Sequence, residues 1–462
     1  MMARFGILLI LAAALVHPGP AVEWDSLVRL TSHPAVQVPG LSYQKSIAVD
    51  PQGNIFVFWL DSRAGFRQIW YRLYEAGSGI WLPESQLTRF DINLNLPTAG
   101  ADPAGNIHLL WHLDAQNYPQ LRGIWYKRFD AATSRWLAET LVAFAPLPYN
   151  LKYPAVAVQP VTGALHIVYY GNPDTGGVPQ VFHKEYQPGT GWLPAEQITA
   201  YPADHRDASV AVDSGGNLCV VWLGRDLGSF SDQVLCRRRI GGVWQEIEQV
   251  SELAGGLAQY SPAVTAGGNN WWHIVWQGYD ANSPYYQICY RCRRPPGWSE
   301  ITAVSGYVQF NQESPSIAHL FNNRCAAVWC GKTAGSPDHK QLLFALQESA
   351  GVWTGPQQLT GLTTHEVKQP VLVTWDRTLH ILFAADSAGN TDLFYLGGRL
   401  PATGVNQPER QQPVRIVNIG AYPALVGFTP AGTRVRINRT GVYLIPDHRF
   451  RFQKVVVISG SN

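Results

Sequence analysis

Along this chain, short apolar runs rich in Val, Ile, Leu, Trp and Cys alternate with gaps rich in Gly, Asp, Asn and Ser. The stretch from Ala208 to Ser251 shows the pattern most plainly. Ser209–Val212 is apolar and β-branched, Asp213-Ser-Gly-Gly-Asn217 reads as a turn, and Leu218–Trp222 is a second apolar run. A polar loop then leads to Val234–Arg237, and Gly241-Gly242 turns the chain into a last run that begins at Trp244. Branched and aromatic residues suit a pleated, half-buried surface, whereas Gly, Asp and Asn suit tight turns. The spacing therefore predicts four antiparallel strands joined in chain order.

The same pattern recurs at Ser46–Trp59, Gly100–Trp111, Pro154–Tyr169 and Pro262–Trp276, and more loosely at Pro315–Trp329 and Pro370–Phe383. With Lys45, Pro97, Pro154, Ala208, Pro262, Pro315 and Pro370 as equivalent starts, the steps are 52, 57, 54, 54, 53 and 55 residues. A period near 50 with four strands per unit is the mark of a β-propeller. The fold class expected is all-β: a seven-bladed β-propeller followed by a small C-terminal β-sandwich-like domain.

Six units carry a Trp that opens the fourth strand: Trp81, Trp136, Trp192, Trp244, Trp298 and Trp353. The seventh unit has only its first three strands, and where its Trp is due the chain is Pro- and Gln-rich. The missing piece is at the other end. Trp24-Asp-Ser-Leu-Val-Arg-Leu-Thr31 matches a fourth strand, including the Leu-Thr ending of Leu87-Thr88 and Leu359-Thr360. The ring is thus expected to close with an N-terminal strand. The repeated tryptophans read as core, because blades pack face to face and bury both faces.

Residues 1–21 read as a signal peptide: Arg4, then an apolar run from Phe5 to Val16 of 12 residues, then Gly19-Pro20-Ala21. That run is short of the ~20 residues a membrane-spanning helix needs. The domain expectation is a signal peptide at 1–21, a propeller at 24–400, a linker at 401–413 and a C-terminal β domain at 414–462. In that last domain Val414–Gly420, Gly432–Asn438, Gly441–Ile445 and Lys454–Ile458 read as strands. The net charge is only +2, but from Pro401 onward there are eight Lys or Arg against two acids. The basic excess thus lies outside the repeats, which argues against a nucleic-acid face on the ring.

Six cysteines in an exported chain raise disulfides. With Trp222 opposite Gln233, Cys219 would fall opposite Cys236, which makes these two the candidate pair. Cys289 and Cys292, three apart on a strand, point to opposite faces and so suit neither zinc nor redox chemistry. His108, His166, His273 and His380 share one register of the second strand. They are expected to bond neighbouring backbone between blades rather than to share a metal. No nucleotide, haem or flavin motif is present, so no cofactor and no metal is expected.

In a ring, what repeats is architecture and what differs between blades is free for function. Loops joining strands 1–2 and 3–4 lie on one face, and the Asp-x-x-Gly-Asn turns there read as structural. Loops joining strands 2–3 and successive blades lie on the other and vary. The candidate ligand-binding residues on that face are Asp61, Arg63, Asp114, Asp204, His205, Arg206, Asp207, Arg225, Asp226, Tyr279, Asp280, His365 and Glu366. No catalytic residue can be assigned from spacing.

The Asp-x-x-Gly-Asn turns and the Gly-x-Trp fourth strands (Gly79-Ile80-Trp81, Gly351-Val352-Trp353) resemble the sialidase-like β-propeller superfamily over residues 24–400. The Arg-Ile-Pro motif of sialidases and an intact Asp-box are both missing. The C-terminal segment, with Gly432-Thr-Arg-Val435, Gly441-Val442-Tyr443 and Lys454-Val-Val-Val457, resembles the sorting domains of type IX secretion cargo. That resemblance implies export through secretion machinery to the medium or the outer cell surface. The function expected is binding of a glycan or surface protein by a monomer, with no integral membrane segment after signal cleavage. The alternatives are a glycoside hydrolase or lyase using loop carboxylates, and an adhesive module without a discrete site.

Overall fold

A computed structural model of the chain describes residues 22–114, 117–172, 177–199, 202–225, 231–251, 257–268, 270–280, 282–387 and 390–401, and strands at 426–428, 434–436, 441–446 and 452–457. Contacts divide the chain into two units, 1–401 and 402–462. The first is a seven-bladed β-propeller: seven separate antiparallel sheets, six wound in chain order from an inner strand outward and the seventh completed by the N-terminal strand. Among the described residues the only helix is one short 3-10 turn, Pro119–Leu121, and no helix is long and apolar enough to cross a membrane.

The ring closes as the Trp24–Thr31 pattern predicts. Glu23 and Trp24 pair with Arg399 and Gly398, and Val28 and Arg29 pair with Tyr395 and Phe394. Trp24 meets Phe344 of blade 6 edge-on, with ring centroids 5.0 Å apart. A side-chain clasp also repeats. In blade 1 the Thr88 hydroxyl donates to Gln68 Oε1 and accepts the Ile69 N–H, at 3.1 and 2.9 Å. Thr31 accepts the Leu393 N–H at 2.9 Å in the same way, so the N-terminal strand completes blade 7 down to its last residue.

The second strands are buried along their length, for example Ile55–Asp61, Ile107–Leu113 and Leu218–Gly224. Their tryptophans are core. Indole N–H groups of Trp222, Trp276 and Trp329 donate to His205, Gln259 and Gln312 on the adjacent inner strand, at 3.0, 2.7 and 2.8 Å. These bonds satisfy a donor that burial would otherwise leave costly. The aligned histidines differ from expectation. His108, His273 and His380 each hydrogen-bond a tyrosine hydroxyl of the third strand in their own blade at 2.8 Å, not backbone between blades. Among the described residues no cluster of His, Cys, Asp or Glu could hold a metal.

The cysteine register differs from expectation too. Trp222 lies opposite Leu235, so Cys236 faces Val221 and Cys219 faces Arg238. The two sulfurs are diagonal neighbours on one face, both buried and both free, as are the other four. The Cys219 contact, and after it burial, push the Cys236 thiol well up.

In the second unit, Val426–Phe428 pairs with Arg434–Arg436, and Gly441–Pro446 with Phe452–Val457. The strand expected at 414–420 lies outside the described residues, as does the signal peptide at 1–21.

Candidate functional site

Five inner strands share a bulge at the loop face. In blade 4, Arg206 pairs with Leu223 and Ser209 with Val221, so two residues oppose the single Trp222. The bulged residue takes a left-handed backbone in blades 3 to 7: Tyr153 (φ 46°), Asp207 (54°), Ser261 (51°), Ser314 (55°) and Gln369 (47°). Such a φ is uncommon for residues other than glycine and marks a position held by its surroundings. Because the bulge recurs, its backbone is architecture, while the side chain at it changes from blade to blade. The residue before it changes as well: Lys152, Arg206, Tyr260, Glu313, Lys368.

Blade 1 departs furthest. Val38 pairs with Leu60 and Ile47 with Val57, so residues 39–46 stand opposite only 58–59. This loop crosses the mouth of the central channel and is bonded to several blades. The Tyr43 hydroxyl donates to Asp207 Oδ1 of blade 4 at 3.0 Å, and Gln44 Nε2 to the Pro154 carbonyl of blade 3 at 2.8 Å. Ala99 N–H of blade 2 donates to the Lys45 carbonyl at 2.5 Å. Tyr43 is buried and joins the core of blades 5 and 6 beside Ala263, Ile317 and Trp329. The loop is a plug.

Beside the plug, Tyr43, Tyr153 and Tyr170 surround Asp207. The rings of Tyr153 and Tyr170 lie 5.8 Å apart, and His112 meets Tyr153 edge-on at 4.8 Å. Burial raises the Asp207 carboxyl above the usual range, against the Tyr43 hydrogen bond and Arg206, which pull it down. Burial raises the Tyr43, Tyr153 and Tyr170 hydroxyls as well, with Asp207 adding to each. His112 is depressed to about 3, by burial first and then by Lys152. Its Nδ1 accepts the Tyr153 N–H at 3.2 Å, so the neutral ring carries its hydrogen on Nε2.

Arg206 extends the cluster to blade 5. Its guanidinium bonds Asp204 and Asp232 at 2.6 Å each, and Arg225 reaches Asp232 at 3.2 Å. The Asp232 carbonyl accepts the N–H of Gln259, the residue before Tyr260. Tyr286 stands between Tyr279 and Tyr260, with centroids 4.2 and 5.6 Å away, while Tyr285 and Tyr307 nearby are exposed. An aromatic and polar surface thus runs over the loop face from blade 2 to blade 5.

The remaining candidates are dispersed. Asp61 is fully buried, accepting the Arg63 backbone and guanidinium and the Trp59 indole, while Arg63 stacks on Trp70 at 4.4 Å. These two are structural. Asp114 pairs with Arg122 at 3.0 Å and Lys152 at 3.7 Å. His205 serves the Trp222 indole in the core. His365 bonds Thr364, and Glu366 pairs with Asp386 across blade 7, away from Asp207. Asp280 ends a strand opposite Ser283, and Asp226 lies outside the described residues. Tyr43, Tyr153, Tyr170, Tyr260 and Tyr286 were not among the expected residues. Their signal was there in part: Tyr153 immediately precedes Pro154, and Tyr260 lies two residues before Pro262, both prolines that open a repeat.

A sizeable cavity lies away from this cluster. A cleft of about 600 Å³ lies on the same face between blades 6, 7 and 1, lined by Glu313, Ser314, Lys340, Lys368, Gln369 and Asp386 among others. Its charges are paired with one another, Lys340 with Glu313 at 2.6 Å and Lys368 with Asp386 at 2.5 Å. Chemistry rather than volume selects the Asp207 cluster, where a buried carboxyl is held by a hydroxyl instead of a cation.

Comparison with known proteins bears on the fold. No family model and no curated protein matches the sequence. Among solved structures, the polysaccharide lyase Uly1 superposes with a TM-score of 0.56 at 10% identity, over 82% of this chain and 99% of that one. The Hadza microbial sialidase Hz136 gives 0.41 at 12% identity, over 72% and 74%. The β-propeller domain of the Trilobed protease from Pyrococcus furiosus gives 0.47 at 11% identity, over 83% and 100%. At these identities the likeness is one of fold, carried by the first of the three.

Proposed function

We propose that this chain is an exported propeller that binds a glycan along the loop face, across Tyr153, Tyr170, Asp207, Arg206 and the tyrosines of blade 5. One observation carries the reading: two tyrosine groups, on blades 3 and 5, flank a carboxylate and arginine set held on a rigid inner strand. Tyrosine rings offer flat apolar faces to sugar rings, and Asp and Arg offer fixed acceptors and donors to hydroxyls. The likeness to a polysaccharide lyase agrees with a glycan ligand. In this reading residues 1–21 direct export, 24–400 form the binding ring, and 414–462 engage the secretion machinery.

The experiment is a glycan array and a polysaccharide gel-retardation panel with the mature chain, repeated with Tyr153→Ala and Asp207→Asn. Retention by a polysaccharide that both substitutions abolish supports the reading. Retention unchanged by either places the ligand elsewhere.

A second reading is turnover at the same place. The raised Asp207 carboxyl, three tyrosine hydroxyls and the neutral His112 form a set able to give and take protons. Incubation with the retained polysaccharide separates the two readings. New reducing ends, or the ultraviolet absorbance of an unsaturated product, lost in Asp207→Asn, would establish catalysis.

A further inference from the structure

The plug has a second side. Beyond Tyr43 and Gln44 the chain enters the channel at Lys45, whose carbonyl is pinned by the Ala99 N–H at 2.5 Å and faces the Thr98 hydroxyl at 3.5 Å. From Lys45 the inner strand Ile47–Val49 runs on toward the turn face. Below the plug the channel holds a cavity of about 300 Å³, lined by Lys45, by Ile47–Val49 and Ala99–Ala101, by Val156–Val158 and Val210–Val212, and by Val373 and Thr374. Among the described residues Lys45 is its only charged lining residue. The remaining walls are small or β-branched side chains and the backbone edges of inner strands, and Thr374 already donates its hydroxyl to the His319 carbonyl at 2.7 Å.

Several cations elsewhere on the ring are paired with an acid. Arg29 meets Asp392, Arg122 meets Asp114, Lys127 meets Glu139 and Arg239 meets Glu185. Lys45, only partly exposed, lines the channel with no acid beside it among the described residues, and burial lowers its pKa. A cation drawn partly out of water among apolar walls without an acid partner favours a counter-ion. The cavity is several times the ~30 Å³ share of one water molecule, so it admits a polyatomic ion.

We propose that the channel is an anion site, in which the Lys45 ammonium holds a small inorganic oxoanion of sulfate or phosphate size under the plug. The site is separate from the glycan surface, since residues 39–46 lie between the two. The anion fastens Lys45, near the end of the plug, and so supports, from beneath, the loop that carries Tyr43 to Asp207.

The test uses the full mature chain and two probes, sulfate and phosphate, each titrated at constant ionic strength against chloride while the melting temperature is followed. Wild type is expected to show a saturable rise with at least one oxoanion, and Lys45→Met only the shallow linear rise common to excluded salts. Lys45→Arg, which keeps the charge, should retain saturation. Crystals of the wild-type chain soaked in selenate should show an anomalous peak within hydrogen-bonding reach of Lys45 Nζ, a readout that does not depend on any variant folding. Parallel titrations of wild type and Lys45→Met, or a channel without the selenate peak, would overturn the proposal.

Discussion

Asp207 and Asp213 stand at the two ends of one inner strand in blade 4. At the turn face, Asp213 accepts the N–H groups of Gly215 and Asn217 at 2.9 Å each and the Asn217 side chain at 3.0 Å. Asp50 and Asp102 do the same in blades 1 and 2. At the loop face, Asp207 caps nothing. It sits on a left-handed bulge, buried, and is held by a tyrosine hydroxyl that arrives from blade 1. The same side chain at two ends of one strand is therefore a turn-former in one place and a surplus polar group in the other. Repetition accompanies the first role, and variation from blade to blade accompanies the second.

The frame shared by both faces is the part most sensitive to loss. Removal of residues 22–31 strips blade 7 of its outer strand and the Leu393 N–H of its acceptor. The truncated chain is expected to lose its cooperative melting transition or to drop by more than about 10 °C. Trp24→Ala alone should cost about 3 kcal/mol in chemical denaturation, near the lower end for large aromatics because Trp24 is only partly buried. A truncated chain that melts like the parent would break the account of ring closure and with it the definition of the two faces.

Acid is the next lever. Burial depresses His112 and His273 to about 3 and His166, His319 and His380 to about 4. A histidine whose folded pKa lies below its unfolded value of ~6.5 stabilises the fold above that pH, and the contribution is lost as pH falls through the folded pKa. Melting temperature should therefore decline steadily between about pH 6.5 and pH 4. A curve flat over that window would mean these rings are not buried and neutral.

The two aspartates sharpen the comparison at smaller scale. Asp213→Ala removes three accepted hydrogen bonds and should cost about 2 kcal/mol. Asp207→Asn should leave stability unchanged or slightly higher at neutral pH. A carboxyl raised by burial weakens the fold once it ionises, and an amide oxygen still accepts the Tyr43 hydroxyl. The smallest effect expected is that of a reductant. With all six cysteines free, dithiothreitol should not move the melting temperature; a drop would restore a disulfide.

The ring was legible because a propeller writes its architecture repeatedly. The 52–57 residue steps, the Gly-x-Trp strands and the Leu-Thr endings each recur, so one misread copy is corrected by the others. Even the displaced strand at Trp24 could be recognised by its likeness to six counterparts. The site was less legible for the same reason, since its residues have no second copy. Arg206 and Asp207 stood out as a charged junction. Tyr43 did not, because nothing in Pro39–Ser46 says that eight residues would oppose two and reach across the channel. Tyr170 follows the strand-end aromatic Tyr169 and drew no reading of its own, and only the bulge at Tyr153 brings it into the cluster. The register expected for Cys219 and Cys236 was off by two residues, an error that keeps both side chains on one face but moves them out of line.

The most direct test of the division between faces is to compare Asp207→Asn and Asp213→Asn in one experiment, measuring affinity for the polysaccharide retained by the wild-type chain together with melting temperature. The account predicts that Asp207→Asn loses at least about tenfold in affinity, some 1.4 kcal/mol, with its melting temperature intact. Asp213→Asn should keep its affinity and melt lower. Affinity lost through Asp213 and kept without the Asp207 carboxylate would contradict it.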